Sequence, residues 1–229
     1  MSIEVKGELD VSSVPDMKPG MTPQDRKAIW LQVADMTEPE FDAMMAENKA
    51  RQPNVPVEGG EAPDFNLDVL DRESGRTGEK IQLSDLRGKP VGLIFGSYTW
   101  PPYRDWAVRL NEIYNSYQDD VQFLSIYIRE AHPDNGWRSK KNILDGIRYL
   151  EPTTDDERTE VATICQQMMD LQMPMLIDSI DNAAESKYIS IPMRLYLVDG
   201  DGNLAYCGGE GPFNFKPDEF EEAIKAQIS

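Results

Sequence analysis

VGLIFGSYTWPPYR, residues 91–104, changes character twice. Val91 to Phe95 is an unbroken apolar run, which reads as a parallel strand buried on both faces. Pro101 and Pro102 then open a helix, where a missing N–H does least harm. Downstream, Tyr103, Trp106, Ala107, Leu110, Ile113, Tyr114 and Tyr117 recur at helical spacing. They predict one amphipathic helix of about four turns. Ser97, Tyr98, Thr99 and Trp100 lie between strand and helix, at a strand's carboxyl end, where open α/β sheets place their ligands.

Outward from this unit the pattern repeats. VQFLSIYI (121–128) is a second strand, followed by a polar loop, REAHPDNGWRSKKN. Thr154 and Glu157 form a capping-box pattern at the next helix, with Val161, Ile164, Cys165 and Met168 as its apolar stripe. MPMLID (173–178) reads as a strand and DNAAESKY as a helical turn or two. RLYLV and NLAYC flank DGDG and predict a β-hairpin. A last helix carries Phe220, Ile224 and Ile228 on one face. Crossover units followed by a late hairpin imply an α/β fold, a mixed central sheet with helices on both faces. A thioredoxin-like sheet fits that order best.

The first 58 residues differ from the rest. Residues 1–20 mix charges, prolines and small residues and read as loosely ordered. TPQDRKAIWLQVAD opens with Thr22 as N-cap and Pro23 at the first helical position. TEPEFDAMMAENKA opens with the capping-box pair Thr37 and Glu40. Ile29, Trp30, Val33, Phe41, Met44 and Met45 give these helices an apolar face that needs a partner, either the main domain or a second subunit. A homodimer through these helices is therefore an expectation. QPNVPVEGGEAP (52–63) reads as a linker. The division predicted is an N-terminal helical extension over 1–58 and a main domain over 59–229.

Composition limits the chemistry. The chain of 229 residues carries a net charge of −18. That surface repels phosphate backbones and anionic lipids, against nucleic-acid or membrane-surface binding. No apolar run approaches the roughly 20 residues that span a bilayer, and the N-terminus lacks a secretory pattern, so a cytoplasmic protein is expected. Two cysteines, Cys165 and Cys207, form neither a CxxC pair nor a multi-cysteine zinc site, and His132 is the single histidine. No metal and no organic cofactor is expected. Cys165 reads as a buried small hydrophobe on its stripe, and Cys207 as a hairpin residue for which a resolving-thiol role is the minor reading. Asp199, Asp201, Asn203 and Glu210 match several calcium-loop positions, but Leu204 stands where such a loop needs glycine, so a hairpin turn is expected.

Four motifs in order, LSDLRGKPVGLIFGSYTWPP, YIREAHPDNGW, NAAESKYISIPMRLYLV and CGGEGPFNF, closely resemble the iodothyronine deiodinase family and its bacterial relatives, over roughly residues 60–228. The resemblance implies a thioredoxin-like fold with a peroxiredoxin-type insertion. It implies reductive removal of iodine from iodinated phenols, with a thiol as electron donor. The family's nucleophile, a selenocysteine or cysteine, falls at Trp100. An indole offers an N–H donor and no nucleophilic anion, so the chain departs from its family at the bond-breaking position. Three readings of Trp100 stand together: a UGA selenocysteine codon read as tryptophan, one base from UGG; a native tryptophan in a non-catalytic binding protein; and an introduced substitution.

The resemblance also assigns roles. His132 would give a proton to the departing carbon, an imidazole being suited by its near-neutral pKa. Glu130 would orient His132 or raise its pKa. Thr99 would either bond the reacting atom or cap the helix. Ser97, Tyr98, Pro101, Pro102, Ile191, Pro192 and Arg194 would shape the site, with a cis Ile191–Pro192 bond as in thioredoxin-like proteins. Free N–H groups at the helix start would favour an anion at position 100. A halogenated aromatic and a small thiol are the partners implied. The competing readings are a peroxiredoxin-like thiol or peroxide reductase, which needs the same nucleophile, and a non-catalytic binding module.

Overall fold

The computed structural model describes residues 10–229. Seven strands form one mixed sheet: β1 (Asn66–Asp71), β2 (Gly75–Gln82), β3 (Val91–Gly96), β4 (Gln122–Tyr127), β5 (Met175–Ile177), β6 (Arg194–Val198) and β7 (Leu204–Cys207). Their spatial order is β2-β1-β5-β4-β3-β6-β7. β3 is buried along its whole length, as its apolar run requires. Alternation divides it between two cores. Ile94 joins Leu110, Ile113 and Phe220 on one face, while Leu93 and Phe95 join Tyr188 and Tyr196 on the other. Burying a side chain such as Phe95 contributes about 2–3 kcal/mol.

Eight helices complete the described chain: α1 (Pro23–Val33), α2 (Glu38–Arg51), α3 (Pro101–Asp105), α4 (Ala107–Tyr117), α5 (Lys140–Leu144), α6 (Asp155–Met168), α7 (Ala183–Tyr188) and α8 (Pro217–Gln227). The helix expected as one piece after Pro101 is two. Trp106, at φ −88° and ψ −4°, ends α3, and its N–H bonds back to Pro102 at 3.2 Å. The hairpin β1–β2 was not expected, because Gly75–Gln82 is polar and mostly exposed at the sheet edge.

Register places the site. β3 and β4 are parallel, with Gly96 opposite Tyr127, so the loops leaving both strands start side by side. Gly96 is needed there: a Cβ would lie 2.5 Å from the Tyr103 ring. The segment after β4 runs over residues 128–154 with only α5 in it.

The N-terminal helices fold onto their own chain. Trp30 and Phe41 pack on Trp137 with ring centroids at 5.1 and 5.3 Å. Arg51 makes two bonds to the buried Glu185 at 2.8 and 2.9 Å, and the Asp35 N–H donates to Gly136 at 2.8 Å. This buries Ile29, Val33 and Phe41 of the apolar face that motivated a homodimer, while Met45 stays 39% exposed. The expectation of loose order over 1–20 lies outside the described residues for 1–9. From Asp10 onward it is corrected, since Val11 and Val14 are buried with Ile29 and Val33. The expected linker is pinned as well: Gly59 and Ala62 donate to Leu204 and Gly202 at 2.8 and 3.0 Å.

Because Trp137 is the shared contact of both helices, Trp137→Ala is expected to loosen α1 and α2 selectively. Amide exchange over residues 23–51 should accelerate about tenfold or more while β3 and β4 stay protected, given aromatic pairs worth about 0.5–1.5 kcal/mol each beyond area. Uniform acceleration across the sheet would contradict the packing described.

Candidate active site

The loop 97–100 is held by one carboxylate. Glu130, 4% exposed, accepts from the Thr99 N–H at 3.0 Å, from the Thr99 hydroxyl at 2.6 Å and from the Tyr127 hydroxyl. The Tyr127 oxygen in turn accepts from the Tyr98 N–H at 3.2 Å. Thr99 Oγ1 accepts from the His132 N–H at 3.0 Å, and Ser97 Oγ accepts from Ala131 N–H at 3.2 Å. Asn142 Nδ2 donates to the Thr99 carbonyl at 2.7 Å, and Arg104 donates to the Tyr98 carbonyl at 2.6 Å and stacks over the Tyr98 ring. The two loops are thus stitched by backbone and side chain together.

The stitching sets Trp100 against His132. Their ring centroids are 5.0 Å apart with planes inclined at 32°. Trp100 is 8% exposed, and its Nε1–H donates to Met193 Sδ at 2.9 Å. Met193 follows Ile191–Pro192, whose bond is cis as the resemblance implied. On its other side His132 meets the Trp137 ring edge-on, at 4.5 Å. His132 Nδ1 lies 2.7 Å from the Trp137 carbonyl. A carbonyl only accepts, so Nδ1 carries the proton and Nε2 of the neutral ring is the basic nitrogen.

Burial dominates the electrostatics. It pushes the His132 pKa from 6.5 down to about 4, with the Trp137 carbonyl opposing and Arg104 assisting. The expectation of a near-neutral imidazole is corrected: at pH 7 the ring is uncharged because burial disfavours the imidazolium. Glu130 is raised by burial, against the hydrogen bonds from Thr99 and Tyr127. Glu151, whose carboxylate accepts from the Glu130 N–H at 2.9 Å, is raised to about 7 by burial first and by Glu130 second.

Several expected roles change. Glu130 neither touches the His132 ring nor raises its pKa; its oxygens are occupied by Thr99 and Tyr127. Thr99 does not cap α3, whose N-cap is Trp100 without a side-chain cap bond. Nor does the helix start offer spare donors, because Pro101 and Pro102 have no N–H and the next two, Tyr103 and Arg104, donate to the Trp100 carbonyl at 3.0 and 3.4 Å. Arg194 is spent on the carbonyls of Ile189 and Gly208 and on Gln52 Oε1, at 3.0, 3.0 and 2.9 Å. It straps the extension to the sheet and does not face position 100. Ile191 is half-buried, and its N–H donates to Glu185 at 3.3 Å. Cys165 is buried in the core. The half-buried Cys207 is pushed up to about 11, chiefly by burial. The Asp199 carboxylate accepts from Asp201 and Asn203 N–H groups, as a hairpin turn requires.

Sequence reasoning missed Tyr127, Met193, Asn142 and Glu151. Tyr127 and Met193 look like ordinary core residues in a one-dimensional pattern. Asn142 sits on the five-residue α5, too short to show a periodic face, and Glu151 lies in an irregular loop where spacing carries no direction.

Comparison with known proteins identifies the family and the fold. A family model described as iodothyronine deiodinase matches residues 30–227. Thyroxine 5-deiodinase of Rattus norvegicus is 33% identical over 164 residues, covering 71% of this chain and 51% of the rat protein. Type I iodothyronine deiodinase of Xenopus laevis is 32% identical over 146 residues, covering 62% of this chain and 55% of the other. The chain spans about half the length of the curated relatives it matches. Among solved structures, an uncharacterized conserved protein from Geobacillus kaustophilus aligns with a TM-score of 0.56 at 17% identity, over 76% of this chain and 84% of that one. The thioredoxin domain of a thiol-disulfide oxidoreductase from Bacteroides vulgatus gives 0.52 at 14%, over 76% and 99%. These two establish the thioredoxin-like fold. No helix among the described residues is long and apolar enough to cross a membrane.

A single histidine makes the electrostatics directly measurable. Imidazole nitrogen shifts of His132 should show the neutral Nδ1–H form from about pH 8 down to about 5.5, with a midpoint near 4. A midpoint near 6.5 would contradict the buried, dry environment. Stability against pH is a poorer probe. A depressed His132 removes stability as pH falls from 6.5 towards 4, whereas a raised Glu151 removes it as pH rises from 4.5 to about 7, so the two slopes oppose.

Proposed function

Because the chain belongs to the iodothyronine deiodinase family, we propose that residues 97–100 and His132 form a reductive dehalogenation site for iodinated phenols, with a small thiol as reductant. The observation that carries this reading is the place of the Trp100 ring. It lies at the carboxyl end of β3, against His132 and beside the segment Ile191–Met193. A chalcogen anion at position 100 would face the same imidazole.

The balanced sequence is short. A selenolate or thiolate at position 100 attacks iodine and takes it as the chalcogen–iodine bond forms. The carbon–iodine bond breaks with its electron pair left on the ring carbon. A proton delivered through His132 completes the arene. One thiol displaces iodide to give a mixed chalcogen–sulfur bond, and a second thiol restores the anion and leaves as disulfide. The net change is aryl iodide plus two thiols to arene, disulfide, iodide and a proton.

Residue 100 and His132 work as a pair in this scheme. Facing a neutral indole, His132 holds one proton on Nδ1 and has none to give from Nε2. An anion in the seat would raise the imidazole pKa, since an opposite charge within about 4–6 Å favours the charged form. With Trp100 in place the chain binds its aryl ligand and does not turn it over. No organic cofactor enters, and the cytoplasm with its thiol pool is the compartment that suits this chemistry.

Three results follow for Trp100→Cys. Its fold should survive with a loss of about 3 kcal/mol in denaturant unfolding, for removal of a buried indole. It should release iodide from an iodophenol in the presence of dithiothreitol, and His132→Gln on that background should lower the rate about 100-fold. Its His132 midpoint should rise above that of the Trp100 chain by nuclear magnetic resonance. Iodide release by the Trp100 chain at the rate of Trp100→Cys would remove position 100 from the mechanism. Sequencing codon 100 separates UGA from UGG.

A further inference from the structure

The site has an approach that the N-terminal segment before α2 helps to build. A cleft of about 380 Å³ lies between residues 14–17, α1 and the segment 138–145, and His132 forms part of its wall. That volume falls within the range of small-molecule sites. Val14, Met17, Ile29, Trp30, Val33 and Leu144 give it an apolar lining. Met17 and Leu144 stand 41% and 66% exposed at the rim.

Charge in the cleft runs against the rest of the molecule. Its walls carry Arg138, Lys140 and Lys141 against Asp16 and Asp145, an excess of one positive charge on a chain of net −18. Two of these cations are committed. Arg138 Nε donates to the Asp134 carbonyl at 2.5 Å, and the guanidinium pairs with Asp35 at 3.2 Å. Lys140 donates to the Val14 carbonyl and Asp16, each at 2.6 Å. Lys141 holds only an exposed pair with Asp145 at 3.1 Å, itself shared with Arg104 at 3.4 Å. Such a pair contributes little, so the Lys141 ammonium can turn to a ligand at small cost.

We propose that this cleft binds an aromatic monoanion, with the ring between Trp30 and Leu144, the anionic group on Lys141 and the inner edge towards His132. The N-terminal extension then supplies Trp30 to the ligand site, and Lys141 of α5 selects for an anionic aryl ring. The inference rests on the dehalogenation reading only for the direction of the inner edge; binding itself is read without turnover.

The test uses the full chain with Trp100 intact and 3-iodobenzoate, an aromatic monoanion, as probe, by calorimetry and by quenching of tryptophan fluorescence. Saturable one-to-one binding is expected. Lys141→Ala should weaken it about fivefold and abolish most of its salt dependence. Leu144→Glu, at a position exposed enough to leave the fold intact, should weaken it at least about tenfold. Lys225→Ala on α8 should leave it unchanged. Absence of saturable binding, or binding indifferent to both Lys141→Ala and Leu144→Glu, overturns the inference. If Trp100→Cys proves inactive while the binding pattern holds, the dehalogenation reading falls and the cleft stands. If Trp100→Cys turns over with a KM that Leu144→Glu does not move, the cleft inference alone falls.

Discussion

A buried carboxylate joins the ends of two parallel strands, and the geometry of the site depends on it. Removing Glu130 from water would be prohibitive for an unpartnered charge. Three donors make it tolerable, and all three come from the elements that must be brought together: two from Thr99 after β3 and one from Tyr127 at the end of β4. The same threonine hydroxyl then receives the His132 N–H. A single residue thus sets how the loop of Trp100 meets the loop of His132. The raised pKa of Glu130 is consistent with this role, since hydrogen bonds recover only part of what desolvation costs.

From that clasp an aromatic column extends outward. Trp100 lies on His132, His132 on Trp137, and Trp137 on Trp30 and Phe41 of the extension. Each ring dries the next. The imidazole is depressed by its burial, with Trp100 and Trp137 as the rings packed against it. The extension is therefore packed against the aromatic column of the site.

Much of this was legible in the residues. The apolar runs at 91–95 and 121–128 can only be buried strands, and parallel pairing of adjacent strands brings their loops together. That reasoning placed Trp100 near His132. What escaped it has physical causes. β2 is a polar edge strand stabilised by pairing with β1, so periodicity gives no signal. The break at Trp106 is invisible because the apolar stripe continues through it. Glu130 was assigned to His132 from nearness in sequence, yet in irregular backbone nearness does not fix direction, and its side chain turns to Thr99 and Tyr127. The helix-start anion site was overestimated because two prolines remove the N–H groups it would need. The histidine's depressed pKa follows from its burial in the folded chain, which no local window shows.

The central claim is that position 100 faces the imidazole. Nuclear Overhauser contacts from the ring protons of the single histidine test it most directly, with Trp100 resonances assigned by comparison with Trp100→Phe. The account predicts contacts from His132 to both the Trp100 and Trp137 indoles, as centroid separations of 5.0 and 4.5 Å require. Contacts to Trp137 with none to Trp100 would contradict it.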